Sequence, residues 1–361
     1  MSLRKFEHRA GWTALLLFIG MIWQSSADAV PILGSIQINR ALIQYGASQI
    51  DVNSSTNRVY FAGGYAVPYP WQGVPAGLQV ADFSTVSAPT LSNVSGPAGG
   101  VAVDATNNRF FSSNGYGGSV LTYNGASNTL MQSTPITGCG SVLDFNNNLG
   151  MLYGMTQCND TLFKYNPGTN TVVAQASLAS VAFDLTVNSA TGNVYANTST
   201  GIHSYNANLT PISNGALTGS IRAANSVTNR LYSLVGNDIQ VFDGTTYALI
   251  ATLVNAGGGY IRADSINNIF YVGSSASNVI RAYDGSTNLL IDSLALPSSI
   301  SLGDITTDSN GRVYVIGYNA STATLFALGK AQVPEPTTLL LLGMGFAGLI
   351  ASRNKSLKSI S

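Results

Sequence analysis

The sequence predicts an all-β protein: a ring of seven four-stranded blades. Three observations carry this. A short phrase recurs along residues 50–328, in which an Asn- or Asp-led polar turn is followed by an apolar pair closing on an aromatic, as in Asn225-Ser226-Val227-Thr228-Asn229-Arg230-Leu231-Tyr232. The closing aromatics are Tyr60, Phe111, Tyr153, Tyr195, Tyr232, Tyr271 and Tyr314, at separations of 51, 42, 42, 37, 39 and 43 positions, which centre on the 40–45 residues that one four-stranded blade consumes, the first being lengthened by an insertion. No stretch between them has the 3.6-residue apolar periodicity of a helix.

Composition bounds what such a ring can do. Charged residues are 9% of the chain, against roughly 25% in ordinary soluble domains. Between Val30 and Gln332 there is no Glu, and eight Arg and two Lys face thirteen Asp. This mild negative excess offers no basic stripe for a phosphate backbone, so no nucleic-acid partner is expected.

Residues 1–29 have the plan of a signal peptide. Arg4, Lys5 and Arg9 precede an apolar helix-forming run from Gly11 to Trp23, and Ala27-Asp28-Ala29 supplies an A-x-A cleavage site for signal peptidase. The same residues would also serve as a retained anchor. Residues 30–332 form the propeller domain. Its first strand, near Ile36 to Ile43, has no blade of its own, while the last repeat supplies only Gly303 to Thr307, Val313 to Gly317 and Thr324 to Leu328. Pairing the two ends completes the seventh blade and hides an edge.

Within each repeat the inner turns are Asn53 to Arg58, Asp104 to Arg109, Asn146 to Gly150, Asn188 to Asn193, Asn225 to Arg230, Asp264 to Asn268 and Asp308 to Arg312. A third strand then ends in a second signal, as in Tyr123-Asn124-Gly125, Phe242-Asp243-Gly244 and Tyr283-Asp284-Gly285. Asn-Gly and Asp-Gly predict two-residue type I′ hairpins. The segment from Gly63 to Gly77 is an insertion in the first repeat. Its Tyr65, Pro68, Tyr69 and Trp71 read either as a carbohydrate-stacking platform or as a loop packed on the rim.

The turn–Arg–Val/Leu–Tyr phrase resembles the YVTN-type repeat of seven-bladed β-propellers, with degraded copies at Asn146 to Gly150 and at Asn268-Ile269. The resemblance implies the fold; propellers of this kind serve many roles. A second resemblance covers residues 333–361. Pro334-Glu335-Pro336 precedes the apolar run Leu339 to Ala351 and the basic Arg353, Lys355 and Lys358. That order of motif, short transmembrane helix and basic tail resembles the PEP-CTERM sorting signal, also catalogued as an ice-binding-protein C-terminal domain. It implies an exported protein, anchored in the membrane by its C-terminal helix and processed by an exosortase-type protease for the cell surface. The bare alternative is a plain anchor.

Catalytic equipment is thin. His203 is the one histidine after the signal, on a strand with Tyr205, and reads as structural. No His/Cys set has metal-ligand spacing; Asp308-Ser309-Asn310-Gly311 has a faint calcium-loop look without the closing carboxylate. Turn Asp and Asn residues read as turn-builders. Arg222 and Arg262 fall on innermost strands, where a propeller presents side chains to its channel. Aligned on their turns, Asn225 and Asp264, they are out of register by one, which predicts opposite faces. They are candidate ligand contacts, as are Tyr69 and Trp71 in the insertion; pairing with a neighbouring Asp is the structural reading. No catalytic residue, metal or cofactor is expected.

The functional expectation is a non-enzymatic binding or structural protein of the cell surface or extracellular matrix, with polysaccharide or a surface protein as partner. The alternatives are a hydrolase or lyase in the channel, which convergent carboxylates with His203 would support, and ice or polysaccharide binding through flat Thr/Asn-rich faces. Export also predicts a disulfide, since Cys139 and Cys158 are the only cysteines. Both stand about equally far from the turn at Asn148, nine and ten positions, which places them opposite one another across a hairpin.

Overall fold

The computed structural model describes residues 31–39, 49–62, 77–96, 98–114, 117–274, 278–297 and 300–331. The signal segment with Ala27 and Ala29, the insertion with Tyr65, Pro68, Tyr69 and Trp71, and the segment with Pro334, Glu335 and Pro336 lie outside the described residues. So do the two terminal helices expected from the sequence.

Strand β1 (Ile32–Ile38) comes first. Blade 1 is β2 (Gln49–Asn53), β3 (Arg58–Ala62), β4 (Leu78–Asp82) and β5 (Thr90–Val94). Blade 2 is β6 (Val101–Asp104), β7 (Arg109–Asn114), β8 (Ser119–Asn124) and β9 (Leu130–Pro135). Blade 3 is β10 (Gly140–Asn146), β11 (Met151–Thr156), β12 (Thr161–Asn166) and β13 (Thr171–Ser177). Blade 4 is β14 (Ala182–Val187), β15 (Val194–Thr198), β16 (Gly201–Tyr205) and β17 (Pro211–Ile212). Blade 5 is β18 (Ser220–Asn225), β19 (Arg230–Val235), β20 (Asp238–Asp243) and β21 (Leu249–Leu253). Blade 6 is β22 (Tyr260–Asp264), β23 (Ile269–Ser274), β24 (Val279–Asp284) and β25 (Leu290–Ala295). Blade 7 takes β26 (Ser301–Thr307), β27 (Val313–Tyr318) and β28 (Ala323–Leu328), and β1 completes it in the order β1-β28-β27-β26.

The predicted closure is therefore present, with the strand placed at 32–38 rather than 36–43. Its ladder runs from Ile32 opposite Leu328 to Ile38 opposite Ala323. The inner strands β2, β6, β10, β14, β18, β22 and β26 touch in a closed circle. Each pair of neighbouring blades shares an apolar layer, and Tyr60, Phe111, Tyr153, Tyr195, Tyr232, Tyr271 and Tyr314 are all fully buried in these layers.

The repeated phrases join blade to blade. The fifth turn position is left-handed in six copies, as Asn57, Asn108, Asn229 and Asn268 or as Gly150 and Gly192, and in the shorter last turn the fourth position, Gly311, takes that role. Asn and Gly are the residues that occupy this region at least cost. The first turn residue donates its amide to the left-handed Asn of the next blade: Asn53 to Asn108 (2.9 Å), Asn188 to Asn229 (2.8 Å) and Asn225 to Asn268 (3.0 Å). The phrase's Arg reaches the same way, Arg58 to the Gly125 carbonyl at 2.5 Å, Arg109 to that of Pro167 at 2.9 Å, and Arg230 to that of Gly285. Arg312 closes the circle on the Asn57 side-chain oxygen.

The second signal needs a correction. Asn124-Gly125, Asp243-Gly244 and Asp284-Gly285 do not form two-residue type I′ hairpins. The left-handed residue comes later, at Asn128, Tyr247 and Asn288. The Asp243 carboxylate caps its turn by accepting from the Thr245 and Thr246 amides at 2.9 and 2.7 Å. Glycine is required for a different reason. The Gly125, Gly244 and Gly285 amides donate to the carbonyls of Asn108, Asn229 and Asn268 at 2.7–2.8 Å, and a Cβ on any of the three would stand 2.3 Å from that Asn side-chain oxygen.

Cys139 and Cys158 form the predicted disulfide, with Cα atoms 5.2 Å apart. A bulge between Gly140 and Leu143 shifts the register, so the Cys139 carbonyl accepts from the Gln157 amide and the bridge runs one step off the ladder. The bridge closes a separation of 19 residues, a loop for which chain entropy gives about 3 kcal/mol. Cys139→Ser with Cys158→Ser is expected to lower stability by about that amount, read as a lower urea midpoint with a somewhat steeper slope, since the freed unfolded chain expands. An unchanged midpoint would refute it.

Candidate functional site: the central channel

The inner strands bring together a cluster that the sequence reading did not single out. Asp51 on β2, Asp144 on β10, Asp184 on β14 and Asp304 on β26 converge at the axis with Arg222 on β18 and Arg262 on β22. The signal was strand parity: Asp51 and Asp144 stand two residues before the first residue of their turns, Asn53 and Asn146, and Asp184 and Asp304 four before theirs, Asn188 and Asp308.

Arg222 and Arg262 both belong to this cluster, which corrects the expectation of opposite faces. β18 carries a bulge between Ile221 and Ala223, and β22 is regular. The extra residue, Arg222 itself, restores the side that counting alone denies it. Arg222 donates to Asp184 at 2.8 Å, from blade 5 to blade 4. Arg262 reaches from blade 6 past blade 7 to Asp51 of blade 1, at 3.1 Å.

The carboxylates also serve the ring. Asp51 accepts from the Val103 amide of blade 2 at 2.9 Å, Asp144 from Val187 of blade 4 at 2.7 Å, and Asp304 from Ile50 of blade 1 at 3.1 Å. Blade 2 has no charge here: Gly100 leaves room for Gln49, which accepts from the Val101 and Leu143 amides at 3.0 and 3.2 Å and so joins blades 1, 2 and 3.

Four carboxylates against two guanidiniums leave the cluster short of positive charge. Asp51 and Asp184 keep 19% and 24% of their side chains accessible. Burial pushes both above the usual carboxylate range despite Arg262 and Arg222 beside them. Asp144 and Asp304 are pushed up to about 7, by burial first, with the pull of Arg262 opposing it. Burial works against the Arg262 cation too, yet Asp51, Asp144 and Asp304 together hold its pKa above the ordinary value. Tyr260, next to Asp304, is raised to about 12 by burial.

Residues 332–355 match the PEP-CTERM protein-sorting motif. The chain thus carries the sorting signal directly behind its last blade, which implies export and a membrane-held stage before processing. The propeller superposes on the WD40 beta propeller domain of Doa1 with a TM-score of 0.60 over 82% of this chain and 96% of that one, at 13% identity. That likeness shows the fold alone. No curated protein matches the chain. Among the described residues no helix is long and apolar enough to cross a membrane.

The remaining sequence candidates sit away from the axis. His203 lies on β16, the third strand of its blade, half-buried, with its Nε2 3.2 Å from the Thr200 hydroxyl. Asp308 is engaged in its turn: one oxygen accepts from the Asn310 and Arg312 amides at 2.9 and 3.0 Å, the other from Arg312 Nε at 2.6 Å and the Tyr314 hydroxyl at 3.2 Å.

Proposed function

We propose that the protein is a surface-sorted, non-enzymatic propeller, displayed after exosortase-type processing as a binding or structural component of the cell surface or matrix. The observation that carries the reading is the commitment of the channel charges. Asp51, Asp144 and Asp304 each accept an amide of another blade, and Asp51 and Asp184 hold guanidiniums. A catalytic carboxylate needs an oxygen within reach of substrate and a partner for proton transfer. Here the ring uses those oxygens to hold itself together, and Arg262 is paired with Asp51. Binding is then left to the rim and the faces, with surface polysaccharide as the partner class.

One observation favours the second reading, a hydrolase or lyase. Asp144 and Asp304 titrate near neutrality, where an acid–base pair works best. A single experiment separates the two. The secreted protein is screened on a glycan array and, in parallel, against chromogenic ester, lactone and glycoside substrates. Glycan retention without turnover is expected. Turnover that Asp144→Asn or Asp304→Asn abolishes would overturn the proposal. In the native host, Pro334→Ala with Pro336→Ala is expected to leave unprocessed chain in the membrane fraction; normal release would remove the sorting part of the reading.

A further inference from the structure

The last described residues leave the propeller at a defined place. Gly329 donates to the Pro31 carbonyl at 2.9 Å, so both ends of the domain lie together. The Lys330 ammonium then donates to Asn267 at 2.5 Å in the inner turn of blade 6, and its stem lies beside Gly311 in the inner turn of blade 7. Ala331 is fully buried against blades 6 and 7. The chain therefore departs from the face built by the inner turns. The turns between the third and fourth strands share this face, since Gly125, Gly244 and Gly285 bond to the inner-turn Asn residues.

Around that exit the surface is apolar where turns are normally polar. Ile266, next to the Asn267 that holds Lys330, is 71% exposed, and Val227, at the same turn position in blade 5, is 67% exposed. The two turns are tied by the Ser226 amide donating to the Ser265 hydroxyl at 2.9 Å. Leu289 and Leu249 are exposed at the neighbouring turns of blades 6 and 5. The turn side chains of this motif build their turns through Asn, Asp and Thr. Nothing in the turn geometry requires Val or Ile at positions 227 and 266.

We infer that this exit face docks on the lipid bilayer while the chain is anchored, with Val227 and Ile266 entering the interface. The inference rests on the sorting reading, because it needs the segment after Ala331 to be held in a membrane. Seven residues, 332–338, separate the blade from the apolar run that begins at Leu339. Fully extended they span about 25 Å. A six-residue strand is itself about 20 Å long, so the opposite face could reach the bilayer only with the linker stretched around the whole edge. The exit face is thus the one presented. Tethering raises its effective concentration at the lipid, so a few apolar side chains suffice. Charge does not oppose contact: Lys330 and Arg230 stand on this face with Asp243 and Asp284, both held well ionised, by amide donors for Asp243 and, against burial, by amides and a hydroxyl for Asp284.

The test uses the full chain reconstituted into phosphatidylethanolamine–phosphatidylglycerol vesicles. An environment-sensitive fluorophore is attached at Val227→Cys, at Ile266→Cys, or at the control Val254→Cys. Val254 is 69% exposed beyond the far end of β21, on the opposite side. The native cysteines are closed to the reagent as a disulfide. Flotation reads the anchor and emission reads the face. In floating protein, emission at positions 227 and 266 is expected to shift to the blue and to be quenched by doxyl lipid, with position 254 unchanged. Floating protein with no shift at 227 and 266, or with equal shifts at all three, would overturn the docking while leaving the anchor intact. A blue shift that needs protein concentration and no lipid would assign the face to a second copy and likewise overturn it. Failure to float would remove both.

Discussion

A chain that begins at Asn39, lacking β1, is expected to give no cooperatively folded propeller. β1 is the outermost strand of blade 7, and among the described residues its six paired positions supply the only ladder on the outer side of β28. About six ladder bonds at roughly 1 kcal/mol net each already amount to some 6 kcal/mol. Ile38 packs in the layer between blades 7 and 1 with Phe61, Tyr314 and Leu325, and its loss opens that layer as well. A domain has only about 5–15 kcal/mol in total, so the deletion consumes most or all of it. The bare β28 edge is also a template for aggregation. The measurement is thermal unfolding followed by near-ultraviolet circular dichroism, with the peptide Val30–Asn39 added in trans as a control. No native signal is expected without the peptide, and partial recovery with it. A deletion that melts cooperatively at the wild-type temperature would refute the closure as a stabilising element.

The ring was legible because its information is local and repeated. Each turn phrase needs a left-handed residue near its end and an aromatic that fills the gap to the next blade, so the requirement is written seven times. Asn57, Asn108, Asn229 and Asn268 are left-handed with no reference to anything distant. The disulfide was legible for the same reason: both cysteines flank one hairpin. The turn type was not, because Gly125, Gly244 and Gly285 answer to a contact with the preceding hairpin rather than to their own backbone angles. A two-residue window cannot carry that information.

The channel was half legible. Arg222 and Arg262 stood out as rare charges on inner strands, but one inserted residue in β18 reversed the side predicted for Arg222. Bulges have no reliable local signature, and a single one flips every assignment upstream of it. The four carboxylates hid among the thirteen Asp residues of the span 30–332, most of which build turns. Telling Asp51 from Asp82 takes the strand order, which places one on the innermost strand and the other on the third.

Those carboxylates lead to the second expectation: the protein is more stable at pH 5 than at pH 8, the reverse of ordinary acid denaturation. Asp144 and Asp304 have pKa values of about 7 in the fold against 3.8 for the free side chain. Between these values the folded state binds more protons than the unfolded one, so stability falls as pH rises. The contribution is complete below about pH 4 and lost once pH passes about 7. A shift of roughly three units is worth about 4 kcal/mol per group; halved for the water that reaches the channel, the two together still cost about 4 kcal/mol by pH 8. Asp51 and Asp184, also raised, act in the same direction. Asp82, Asp243 and Asp284 are lowered and act in the opposite one, but they lie at the surface, where such effects are small. The check is chemical denaturation at pH 5, 6.5 and 8 on the wild type and on Asp144→Asn with Asp304→Asn. An Asn oxygen still accepts from the Val187 and Ile50 amides, so the blade-to-blade bonds survive the change. The double variant should exceed the wild type modestly at pH 5 and by more at pH 8, and lose most of the slope between them. A wild type with a flat profile, or a variant weaker than the wild type at pH 8, would mean that Arg262 already neutralises the channel in full.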